Sequence, residues 1–466
     1  MKKRAVLLSG LTLLALIAGL IYILNFRTRT FKSISESPSA PVILPQKPAD
    51  SIMSLEEMKA DMDYIIEKLK NVHPKSIQGF SKEQERLIEN AYSRINNPMN
   101  VGEFYFIANE VVSSFEDAHT RISIQSTEKD RRLNLPMVWL KEGLYVSADA
   151  APLLKGDKIL SIGNLREEEL LKEMKKIIPS ENDYFIKVFT PIDIIQESFL
   201  RHLDMLKEDK VPITVERDGK RGDYLLGFRS EKANSSDKNG AWFSYNIYKE
   251  DSLGVFTINQ CSLNGSYKTF LNNFFEEVYK ENIKNIAIDV RNNMGGDSRV
   301  INEFVKYLDV KQYKDFSGTI RYSKEAVEQR GYEKESGIKD FNGNVVKNEK
   351  IENKNLIFKG KVYILTSNIT FSSANWFGVI FKDNKLGTIL GEPTGNAPSS
   401  YGDILSFQTP NAKLVFSVSH KKWIRPDKEK NDDNTLFPDI EVYTTAKDII
   451  DGRDAQIEKL KSIIKD

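Results

Sequence analysis

The sequence predicts an α/β protein with a layered α/β lobe in its C-terminal half, a mainly helical lobe ahead of it, and a β/α insertion between the two. Three observations carry this. From about residue 241, short apolar runs of strand character alternate with amphipathic helical runs: GVFTIN (254–259), YKTFLNNFFEEVYKEN (267–282), IAIDV (286–290), RVINEFVKYL (299–308) and KVYIL (361–365). Such alternation indicates a layered sheet. Residues 54–118 instead carry helical periodicity, in SLEEMKADMDYIIEKLK, EQERLIENAYSRI and FYFIANEVVSSF. Between these lobes, LPMVWLKEGLYVSADA (135–150) alternates like paired strands before a helical run.

Residues 5–24 form an uncharged stretch of twenty, with Lys2, Lys3 and Arg4 before it and Arg27, Arg29 and Lys32 after it. Twenty helical residues span about 30 Å, the thickness of a bilayer core. The reading is one N-terminal transmembrane helix over 1–25, an uncleaved signal anchor that leaves the body on the extracytoplasmic side of the cell membrane. A cleavable signal peptide is the alternative, but no A-x-A site stands in the flank. Residues 26–53 are rich in Ser and Pro and read as a tether. The helical lobe covers 54–129 and delivers His119 at its end. Residues 130–232 form a β/α domain. The layered lobe covers 241–466, and the charged stretch 310–358 within it reads as a surface excursion, either a lid or a variable loop.

Three segments carry chemistry. TSNITFSSANWF (366–377) follows a buried strand and precedes a helical run. A serine at such a junction either caps the helix or presents its oxygen beside helix N-terminal N–H groups that can hold an oxyanion. RNNMGG (291–296) ends another strand, and its glycines let the backbone approach a ligand closely. SSFEDAHTRISI (113–124) places His119 between a helical and an alternating run. The chain has four histidines, His73, His119, His202 and His420, so candidates for a general base are few.

In these blocks the chain resembles the C-terminal processing (tail-specific) serine peptidases, in the branch that includes tricorn core protease and the interphotoreceptor retinoid-binding protein repeats. Residues 289–296, D-V-R-N-N-M-G-G, are similar to the family's D-[LV]-R-x-N-x-G-G signature. Residues 366–374, T-S-N-I-T-F-S-S-A, are similar to its nucleophile block. GEPTG (391–395) and FPDIEV (437–442) follow in order. The resemblance implies a ClpP/crotonase-like layered catalytic lobe, a PDZ-like insertion that engages substrate C-termini, and Ser372 rather than Ser373 as nucleophile. Many tail-specific proteases use a lysine base after G-E-P-T, but here Gly395, Asn396, Ala397 and Pro398 stand there. Asp117-Ala118-His119-Thr120 matches the histidine element of the tricorn-like branch, so His119 is the expected base, with His420 its rival. An imidazole can exchange protons at neutral pH but needs a third group to fix its tautomer. The branch takes that acid from just before the late P-D element, where Glu429, Asp432 and Asp433 lie; Asp432 has the best spacing. The implied oxyanion hole joins the Ser373 N–H to one from the Gly295-Gly296 turn. Asp289 and Arg291 are expected to form an ion pair that pins this turn.

Composition narrows the alternatives. The 466 residues are 40% hydrophobic and 29% charged, with a net charge of +1, so no nucleic-acid-binding stripe is expected. A single Cys261 excludes an intrachain disulfide, and no metal or cofactor motif stands in the sequence. The expected partners are a peptide or protein substrate and, through the N-terminal helix, a membrane. The expected function is a membrane-anchored serine endopeptidase. A non-hydrolytic module that binds peptides or lipophiles on the same fold is the alternative.

Overall fold

Three helices open the body of the computed structural model, which describes residues 43–125, 130–230, 242–430 and 433–465. The expected N-terminal anchor lies outside the described residues. No helix within them is long and apolar enough to cross a membrane. The end of the expected tether is docked: the Lys47 N–H donates to Ala412 O, and Gln408 Nε2 donates to Leu44 O.

The helices Leu55–Val72, Lys82–Arg94 and Val101–Ser113 each begin at a reciprocal capping box, formed by Ser54 with Glu57, Ser81 with Gln84, and Asn100 with Glu103. Each box satisfies two N–H groups that a helix start leaves open. The third helix is apolar nearly all round and buried, so it acts as the pillar of the lobe. Its end turns through Asp117 into strand Arg121–Ser123, which pairs with Val415–Ile424 of the catalytic lobe. That pairing carries His119 across to the other lobe.

Residues 130–230 build an antiparallel sheet in the order Lys220–Leu226, Val211–Arg217, Lys158–Ile162, Gly143–Val146, Met137–Leu140, flanked by helices Glu167–Lys175 and Asp183–Asp193. Strand Arg131–Leu133 pairs with Phe228–Ser230, so entrance and exit of the insertion lie side by side.

The catalytic lobe centres on six strands in the order Phe243–Tyr248, Leu253–Ile258, Asn285–Asp289, Lys361–Thr366, Thr388–Gly391, Ile440–Glu441. All pairings after the first are parallel. One face packs Phe256, Phe274, Phe304, Phe377 and Phe381 beneath helices Gly265–Lys280, Arg299–Val305 and Ser373–Asp383. The other face, with Leu253, Val255, Leu365 and Leu390, packs against Leu460 of helix Ala455–Lys465. Both faces are covered, which accounts for the unbroken apolar runs of these strands. The lobe is thus the layered α/β sheet expected.

The segment 310–358 is largely exposed, as expected, but carries regular elements. Strand Ser317–Arg321 pairs with both Val415–Ile424 and Ile338–Phe341. Helix Lys324–Arg330 is tied to the same sheet by Gln329, which bonds both backbone groups of Ser406. Residues 317–330 are thus part of the framework, while most of 331–355 stays exposed. Its outermost strand, Ile338–Phe341, is largely exposed, so no apolar run marked it in the sequence.

Candidate active site

The site forms where parallel strands end, the usual location for function in an α/β sheet. Strand Lys361–Thr366 feeds the loop 367–371, and strand Asn285–Asp289 feeds the turn 291–296. The two loops are stitched together: Thr370 Oγ1 donates to Val290 O at 3.0 Å, and the Phe371 N–H donates to Asn293 O at 3.1 Å. Arg291 pins the second loop through Asp289 at 2.7 Å, as expected, and also through Asp454 at 2.7 Å.

Ser372 sits at φ 52°, ψ −126°. A non-glycine residue there stores roughly 1–3 kcal/mol of backbone strain, the mark of a sharp strand-to-helix turn that lifts a side chain above the sheet. Its side chain does not cap the following helix. Instead Ser372 Oγ lies 3.1 Å from His119 Nε2. Ser373 is spent otherwise, its Oγ donating to Gly296 O at 2.7 Å. The two adjacent serines are therefore distinguished by geometry.

His119 is held by its backbone and its ring face. Its N–H donates to Asp117 Oδ1 at 3.0 Å, and its carbonyl accepts from Ser417 Oγ at 2.7 Å. The ring packs on Phe371 at a centroid distance of 4.6 Å. Asp117 is fully buried, and its Oδ2 accepts from Thr120 Oγ1 at 2.6 Å and lies 3.1 Å from His73 Nε2. Because His73 Nδ1 accepts from the Lys75 N–H, His73 in its neutral form carries its proton on Nε2 and donates to Asp117. Burial opposes the Asp117 charge, yet the histidine partners hold its carboxyl well below the usual range. Burial also pulls His73 down. The remaining nitrogen of His119, Nδ1, is buried with no hydrogen-bond partner. Asp117 Oδ1 is 3.7 Å from it, too long for a hydrogen bond.

Sequence reasoning missed two residues here. Asn396, in the loop after G-E-P-T, accepts the Ser372 N–H at 3.1 Å on Oδ1 and donates from Nδ2 to Glu181 Oε1 at 3.3 Å. Glu181 Oε2 is buried and unpartnered. Burial, with the Asp117 charge adding to it, pushes the Glu181 carboxyl up to about 8. One ligand atom each from Asp117, His119 and Glu181 lie within 4.8 Å of one another, the one such group of three among the described residues. Asp117 and His119 are already engaged with His73, Thr120 and Ser372, so the cluster reads as a proton-sharing group before it reads as an ion site. Asp432 lies outside the described residues. Of its neighbours, Glu429 is exposed and Asp433 pairs with Arg425 at 2.7 Å.

The turn 295–296 faces the serine, since a Cβ on Gly295 would lie 2.7 Å from Ser372 Cβ. One expectation is corrected. The Gly295 N–H donates to Asn293 Oδ1 at 2.7 Å and is not available to an oxyanion. Gly296, exposed at φ 133°, and Ser373, whose N–H opens a helix and so lacks an intrahelical partner, are the two donors left.

The rival histidine does not reach the serine. His420 is buried, with Tyr332 Oη 3.2 Å from Nε2 and the Asp403 carbonyl on Nδ1. His202 stacks on Phe106. Burial pulls His420 down to about 4. Its unfolded value is near 6.5, so the unfolded chain binds this proton first. The stability His420 contributes is present above about pH 6.5 and is lost as pH falls toward 4, by about 3 kcal/mol at most. Thermal unfolding followed between pH 7 and 4.5 should show Tm falling, with a shallower fall in His420→Gln; identical slopes would sink this account.

A strained serine above an α/β sheet, bonded to a histidine from a second lobe, marks the class of serine hydrolases. The model of peptidase family S41 matches residues 252–442. The matched segment is similar to family S41, and the chain is a serine-type peptidase. Among solved structures, mature CPAF complexed with lactacystin is similar at TM-score 0.63 and 13% identity, over 88% of this chain and 98% of that one. The tricorn protease aligns more loosely, at TM-score 0.42 and 14% identity over 88% of this chain and 37% of that one. No curated protein matches the sequence.

Proposed function

We propose that the protein is a membrane-anchored, extracytoplasmic serine endopeptidase that cleaves peptides or protein tails through an acyl-enzyme on Ser372. The observation that carries the reading is the 3.1 Å contact between Ser372 Oγ and His119 Nε2, made by a serine held in a strained turn. His119 Nε2 takes the Oγ proton as Oγ bonds to the substrate carbonyl carbon. The Ser373 and Gly296 N–H groups receive the oxyanion. The C–N bond then breaks, His119 returns its proton to the departing amine, and water releases the acyl group by the same steps in reverse. The antiparallel sheet of 137–226 ends, among the described residues, in the largely exposed strand Lys220–Leu226, at which an extended tail would add as a strand. The uncharged run 5–24 with its basic flanks supports the membrane anchor.

Labelling of the full chain in detergent with a fluorophosphonate serine probe tests this. Wild type should label, and both Ser372→Ala and His119→Ala should not. Labelling that survives His119→Ala would move the base elsewhere. A folded wild type that does not label would sink the reading. Location is checked separately, by protease accessibility of the body in intact cells.

A further inference from the structure

Two buried polar atoms at the site lack partners, His119 Nδ1 and Glu181 Oε2. An unpaired buried donor or acceptor is costly, so each of these atoms is expected to find a partner when the site is engaged. With Nε2 accepting from Ser372, the His119 proton must reside on Nδ1, the nitrogen without a partner. Asp117 cannot take it readily: its oxygens already serve the His119 N–H, Thr120 and His73. Glu181 has one oxygen tethered to Asn396 and the other unspent, and one of its carboxylate oxygens lies within 4.8 Å of a ring nitrogen of His119 and of a carboxylate oxygen of Asp117. Side-chain rotation closes such a gap, and catalytic hydrogen bonds often tighten only when substrate binds.

The placement of Glu181 is fixed on both sides. Asn182, the next residue, caps helix Asp183–Asp193 through the Phe185 N–H and donates to Asn434 O at 2.8 Å. Asn396 holds the Ser372 N–H with one end of its amide and Glu181 with the other, so one side chain sets nucleophile and carboxyl relative to each other.

We infer that Glu181 is the positioning residue that fixes the tautomer and orientation of His119, in place of an acid from the 429–433 cluster. This rests on the Ser372–His119 reading. The charged and titratable groups around the pair are Asp117, His73, Glu116 and Tyr401. Burial, with the Asp117 charge, pushes the carboxyl up to about 8, so it is mostly protonated at pH 7 and gains its charge above that value, where the carboxylate stabilises the imidazolium that forms as Ser372 attacks.

The test compares fluorophosphonate labelling rates and Tm for the full chain with Glu181→Gln, Glu181→Asp and Asp432→Asn. Glu181→Gln should slow labelling by about 10²–10⁴-fold while Tm holds or rises, since a buried ionisable group is replaced by a neutral isostere. It should also remove one ionisation from the pH–rate profile. Glu181→Asp, which restores the charge, should recover part of the loss, and Asp432→Asn should slow labelling less than Glu181→Gln. Labelling within three-fold of wild type in Glu181→Gln, or a larger loss in Asp432→Asn, would overturn the inference. A readout independent of activity separates its failure from that of the peptidase reading. In a Ser372→Ala background, the His119 Nδ1 proton resonance should move upfield or vanish on Glu181→Gln, and an unchanged resonance would overturn the inference.

Discussion

Ser372→Ala is expected to lower peptide hydrolysis by about 10⁶-fold, the loss typical of removing the nucleophile of a triad enzyme. The measurement is kcat on a peptide the wild type cleaves, with Tm recorded alongside. The companion variant Ser372→Gly should be equally inactive but more stable than Ser372→Ala. Ser372 occupies φ 52°, ψ −126°, where any Cβ is strained and glycine is not, so relief of about 1 kcal/mol is expected after the entropy of glycine is counted. A serine held against a local stability gradient is what a functional constraint looks like in the backbone. Equal Tm values in the two variants would mean that the turn stores no strain. Residual hydrolysis above a few per cent in either would move the nucleophile to another side chain.

The site was legible in the sequence to the extent that its residues sit in local patterns. Ser372 stands between a buried strand and a helix, and His119 in D-A-H-T, so each is marked by neighbours within a few positions. The layered sheet was legible for the same reason, because strands buried on both faces read as continuous apolar runs. Glu181 left no such trace. Its value comes from burial beside Asp117 and His119, groups sixty residues away in the chain, and its own context, S-E-N-D, reads as an ordinary helix start. Asn396 was visible only as the lysine that is not there; its two-ended role appears when the loop after Gly391 is folded over the serine. The segment 310–358 is largely exposed, as a surface excursion would be, but its strands were not legible because an exposed strand needs few apolar residues. Gly295 was misassigned within a motif read correctly: sequence shows that a glycine turn approaches the serine, but which N–H stays free depends on where Asn293 points its amide.

That last point yields the second large effect. Gly296→Ala is expected to lower kcat/KM by about 10²–10³-fold, the range for removing one oxyanion donor. The reason is steric and conformational together. A Cβ at Gly296 would stand 2.1 Å from Cys261 O, and the residue has φ 133°. The carbonyl it would strike cannot step aside, because Cys261 O accepts the Asp297 N–H at 2.8 Å while the Cys261 N–H donates to Gly295 O at 3.0 Å. The turn must move instead, carrying its N–H away from the place an oxyanion would occupy above Ser372. The loss should fall on kcat with KM little changed, since the developing charge exists only in the transition state. Stability should fall as well, which urea unfolding would report. The fluorophosphonate labelling rate should fall in parallel with kcat, as the probe develops the same negative oxygen. A Gly296→Ala protein that folds and retains wild-type kcat/KM would place the second oxyanion donor outside this turn, leaving the Ser373 N–H as the one donor supported by the geometry.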